Sequence, residues 1–143
     1  MIKTPLLKII TIVCLLTGAI MGVLALIPFL SFGVLTLLMF IIAPFVIIYF
    51  KNLNLIKDIE IDQGIFYGGI SGFIAFIGFS ITFFPLAFII DIIFKTQTFL
   101  WVSIVSKSFL FLSGIIIFTA MLSALLNMFT GFLTAYVYQY LKK

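Results

Sequence analysis

Between Lys8 and Lys51 the chain carries no charged residue, and the same is true between Asp62 and Asp91 and between Lys107 and Lys142. Runs of this length decide the solvent before any other feature is read. A helix crossing about 30 Å of hydrocarbon needs roughly 20 apolar residues. The runs are therefore read as membrane-crossing helices.

Composition supports this. Of 143 residues, 65% are hydrophobic and 8% are charged. A soluble domain carries about 25% charged residues, and a chain this apolar could not cover a water-facing surface.

The expected architecture is all-α, an integral membrane bundle of four transmembrane helices arranged as two hairpins in a single domain, 1–143. The first span is expected over about 9–27. It exceeds the apolar core of a signal peptide and lacks a small-x-small cleavage site, so it reads as an uncleaved helix. The break Pro28–Gly33 precedes a second span, 34–50, with a kink expected at Ala43-Pro44. The polar segment 51–63 is the main exposed loop. A third span, 65–84, is divided by Pro85 from an apolar tail reaching residue 94. The run 99–141 is too long for one crossing. Trp101, Ser103, Ser106 and Lys107 suggest an interfacial helix before a last span within 108–140. Folding of this run into two spans is the other reading.

Charge sets the orientation. The net charge of +4 comes from eight lysines and four acids. With four spans, Lys3, Lys8, Lys51, Lys57, Lys142 and Lys143 share one side, and Lys95 and Lys107 face the other. The positive-inside rule then places both termini and the 51–63 loop in the cytoplasm of a plasma or bacterial inner membrane. The lysines stand singly or in pairs beside apolar runs. This fits a topogenic role, not a nucleic-acid surface, so the bilayer is the expected partner.

Small residues recur at four-residue steps: Gly18 and Gly22; Gly64, Gly68 and Gly72, a glycine zipper; Ser123, Asn127, Gly131 and Ala135. Helices in lipid associate by close packing at such residues. These ridges either assemble the chain's own bundle or form a face for a homo-oligomer or a membrane partner subunit. The segment 18–25 also resembles 68–75, as a parallel duplication of a hairpin would produce.

Asn127 is the most polar residue deep in a span. It is either an interhelical tie or part of a solute path. Ionisable groups inside a membrane mark function, and the span centres lack them. Asp91 stands near a helix end, four residues before Lys95. There is no histidine, and Cys14 is the single cysteine. No catalytic constellation, metal motif or cofactor fingerprint is present, and Asp58, Glu60 and Asp62 read as a solvated face. The leading expectation is a non-catalytic membrane protein acting through helix packing, as an assembly, scaffold or accessory subunit. The competing one is a small channel or carrier for a neutral or weakly polar solute. An enzyme of lipid chemistry ranks last.

Overall fold

The computed structural model describes residues 4–56, 59–94, 102 and 108–141, and these are helical apart from short turns. Five helices follow in order: α1 (Thr4–Leu24), α2 (Pro28–Phe40), α3 (Ile42–Asn52), α4 (Ile61–Phe94) and α5 (Phe109–Leu141). Three of them, α1, α4 and α5, are each long and apolar enough to cross a membrane. The bent pair α2–α3 makes a fourth if it counts as one crossing.

The first turn is shorter than the sequence suggests. Only Ala25–Ile27 separate α1 from α2, and their N–H groups bond back to Met21, Val23 and Leu24. Pro28 begins α2 instead of extending a break. The first helical position has no intrahelical use for an N–H, so proline fits it without loss. The second expected span therefore starts at Pro28.

The same span is also broken. Between α2 and α3 the axis turns by 59° at Ile41, three residues before Pro44. The physical cause is Pro44 itself. Proline lacks the N–H that would bond Phe40 four residues earlier, and its ring collides with that carbonyl. The disruption falls a turn upstream of the residue that produces it.

Pro85 behaves differently, and α4 continues through it for 34 residues, about 51 Å at the usual helical rise. The proline ring is exposed, while Phe83, Phe84 and Ala87 beside it are buried. Packing on both sides holds the helix across one missing hydrogen bond. The expected division at residue 85 is not found. The interfacial helix expected over 99–107 lies outside the described residues, except for Val102, which is buried. From Phe109 onward α5 is one unbroken helix of 33 residues.

At the end of α3, Asn54 takes a left-handed φ of 55°. Its N–H bonds Lys51, and the N–H of Leu55 bonds Phe50. This is the Schellman pattern, with asparagine where glycine is commonest.

The packing centre is α4. Its most extensive contact is with α5 and the next with α1, whereas α1 touches α2 only lightly. The first helix therefore packs on α4 and not chiefly on the helix that follows it. The similar segments 18–25 and 68–75 are used differently: Gly18 and Gly22 face α4, while Gly68 and Gly72 face α5.

Candidate functional site

Two seams of small residues hold α4 to its neighbours. In the first, Gly18 approaches the backbone of Ala75 and Phe79, and Gly22 approaches Phe79 and Thr82. A β-carbon on Gly22 would lie 2.7 Å from the Phe79 carbonyl oxygen. Facing residue numbers rise together along the two helices, so α1 and α4 run parallel. In the second seam, a β-carbon on Gly64 would lie 2.6 Å from that of Ala135. One on Gly68 would meet the Asn127 carbonyl, and one on Gly72 would sit 2.7 Å from the Ser123 carbonyl oxygen. Gly131 in turn lies against the Gly64 backbone. Here the numbers run in opposite directions, so α4 and α5 are antiparallel.

All nine small residues singled out from the sequence thus lie at contacts within the chain. Gly78 belongs with them, because a β-carbon there would strike the Leu15 backbone. It escapes a search for four-residue steps because it stands three residues after Ala75. Positions i and i+3 share a helical face as surely as i and i+4 do. By contrast, a β-carbon added to Gly33 or Gly114 would have nothing within 4 Å.

Asn127 stands where the second seam meets the broken helix. Its side chain is fully buried. The backbone N–H of Ala43 donates to Asn127 Oδ1 at 2.9 Å. Asn127 Nδ2 donates toward the carbonyls of Met39 at 3.0 Å and Leu38 at 3.1 Å. In an unbroken helix the Ala43 N–H would bond the Met39 carbonyl directly. The asparagine amide is inserted between these two groups, accepting from one and donating to the other. A side chain from α5 replaces a peptide hydrogen bond missing between α2 and α3.

The remaining contacts tie this clamp to α4. Asn127 Nδ2 also lies 2.9 Å from the Ser123 carbonyl and 3.4 Å from its hydroxyl. Ser123 Oγ donates to the Gly72 carbonyl at 3.1 Å. Four elements therefore meet at one polar point: α2, α3, α4 and α5. Two other buried serines bond within their own helix, Ser71 donating to Gly68 and Ser80 to Phe76, both at 2.9 Å.

Near one end of α5 two more contacts fasten the α3–α4 connection. Gln139 Nε2 donates to the Ile59 carbonyl at 3.2 Å, and Lys51 Nζ lies 3.5 Å from the centre of the Tyr138 ring. Among the described residues no such contact is seen for Asp91. Its Oδ1 is buried without a hydrogen-bond partner among the described residues. No cluster of histidine, cysteine or acidic side chains suited to a metal occurs among the described residues.

Compared with known proteins, the chain matches no family model, no curated protein and no solved structure. Helix length and apolarity are those of a multi-pass membrane protein.

Proposed function

We propose that this is a four-pass, non-catalytic membrane protein acting as an assembly scaffold or accessory subunit. What the α2–α3 pair meets along α5 supports that pass count. Ser31 and Leu35 share a cavity wall with Ile115 and Thr119. Leu38, Met39 and Ala43 meet Asn127. Pro44 and Ile48 line a hollow with Leu133 and Val137, and Lys51 meets Tyr138. This order supports one broken crossing that accompanies α5 through its depth, not a loop returning to its own side. Both termini then share a side with the 53–60 connection. Lysine content makes that side the cytoplasm of a plasma or bacterial inner membrane.

The observation that carries the functional reading is the Asn127 clamp. The polar side chain best placed to serve chemistry or a solute is engaged by the backbone it repairs. The seams likewise join the chain to itself, which makes a prebuilt unit whose outward surface is apolar. Along α5, Phe118, Leu125 and Phe129 are all more than half exposed and face either lipid or a partner helix.

Native mass spectrometry of the protein, transferred from its own membrane into nanodiscs, tests the reading. A second chain bound in fixed stoichiometry is expected. A bare monomer contradicts it. If that monomer also passes a small neutral solute into proteoliposomes, and Asn127→Leu abolishes the flux, a carrier takes its place.

A further inference from the structure

The bend at Ile41 has a consequence at the other end of α2. Held by Asn127 at its C-terminus, α2 leans away from α4 and touches it far less than α3 does. A cavity of about 310 Å³ opens in the space between them. Its floor is α4, with Phe76, Phe79, Phe83 and Phe84 all buried. Its rim is α2 and α5, where Ser31, Leu35, Ile115 and Thr119 are half-buried. The cavity is partly open to the exterior, and next to its rim Phe32 and Phe118 are 81% and 70% exposed.

The two hydroxyls on the rim are already committed as donors. Ser31 Oγ donates to the Pro28 carbonyl and Thr119 Oγ1 to that of Ile115, both at 2.8 Å. Water needs two to four polar partners to occupy a buried space, and apolar cavities of about 150 Å³ stay dry and take up hydrocarbon. This one is larger. A helix of about 10 Å diameter is too thick to enter it. A flexible, unbranched hydrocarbon is not, and the surrounding solvent supplies one.

We propose that this cavity holds an acyl chain of a membrane phospholipid, entering sideways between α2 and α5 and lying against the phenylalanines of α4. The inference rests on the four-pass reading, because α2 and α5 must face lipid.

The test uses the full-length protein in phosphatidylcholine nanodiscs doped with a phospholipid carrying a diazirine on its acyl chain. After irradiation, adducts are mapped by peptide mass spectrometry. Labelling is expected to be several-fold denser at Leu35, Phe79 and Thr119 than at Ile20 and Leu125, which are open surface positions. Thr119→Phe and Ser31→Leu each narrow the cavity from a different wall. Either variant that elutes as wild type should lose the dense labelling while Ile20 and Leu125 keep theirs. Equal labelling at cavity and surface in the wild type overturns the proposal, as does dense labelling that survives both substitutions. Loss of labelling at Ile20 and Leu125 themselves would instead contradict the membrane placement of α1 and α5.

Discussion

Gly18→Ala is expected to destabilise the bundle by about 3 kcal/mol or more, because the added methyl group has nowhere to go. It would collide with the Ala75 carbonyl oxygen and lie 2.8 Å from the Ala75 carbonyl carbon and 2.9 Å from the Phe79 nitrogen. These are backbone atoms of a long, well-packed helix, and they cannot swing aside as a side chain can. To admit the methyl, α1 must withdraw from α4 along the whole seam. Without a hydrophobic drive between helices in lipid, that close contact is what binds them. Helix propensity acts the other way, since alanine is better than glycine by about 1 kcal/mol, so the steric effect must exceed it. Gly33→Ala is the control. Its β-carbon meets open space, and the change should be neutral or stabilising by up to about 1 kcal/mol. SDS-driven unfolding in mixed micelles reads both variants. Equal midpoints for Gly18→Ala and Gly33→Ala would show that the first seam is not close-packed.

Asn127→Leu should cost roughly 3 kcal/mol, from the buried N–H and carbonyl groups it leaves unmet at about 1 kcal/mol or more each. The groups concerned are the Ala43 N–H and the carbonyls of Leu38 and Met39. Interhelical hydrogen bonds in membranes average only about 0.6 kcal/mol. The larger value is expected here because the backbone at the break has no second partner to turn to. Pro44 gives a sharper test. Pro44→Ala supplies an N–H for Phe40 and removes the ring from its carbonyl, so α2 and α3 can close their own ladder. In that background Asn127→Leu should lose at least about 1 kcal/mol of its effect, a coupling measurable in a double-mutant cycle. Strict additivity would mean that Asn127 and the helix break are independent.

How much of this is legible in the sequence depends on which physical rule applies. Charge-free runs show where apolar helices lie, since that rule acts on the sequence locally. Four-residue steps expose Gly18, Gly22, Gly64, Gly68 and Gly72, together with Ser123, Asn127, Gly131 and Ala135. What they cannot show is the pairing, because a small-residue ridge does not indicate which helix will fill it. Pro44 announces a break but not its position at Ile41 or its sharpness, which depend on what α5 offers in place of the lost hydrogen bond. Pro28 and Pro85 read locally as interruptions. One is a helix start and the other is carried through by neighbouring packing, so context beyond the chain's local order decides both. Asn127 stands out by its polarity. Its partner, a backbone fault 84 residues away, is set by tertiary structure alone.

If α2 and α3 form one broken crossing clamped by Asn127, their two ends lie on opposite sides of the membrane. Site-directed labelling of intact vesicles with a membrane-impermeant maleimide reads this. Phe29→Cys and Asn52→Cys place single reactive thiols at the two ends of the pair, where both native residues are exposed. Cys14 is fully buried and serves as the unreactive background. Labelling of the two positions from opposite sides of the membrane is the result expected for one crossing. Labelling of both from the same side would make the pair a re-entrant loop and leave a three-pass protein.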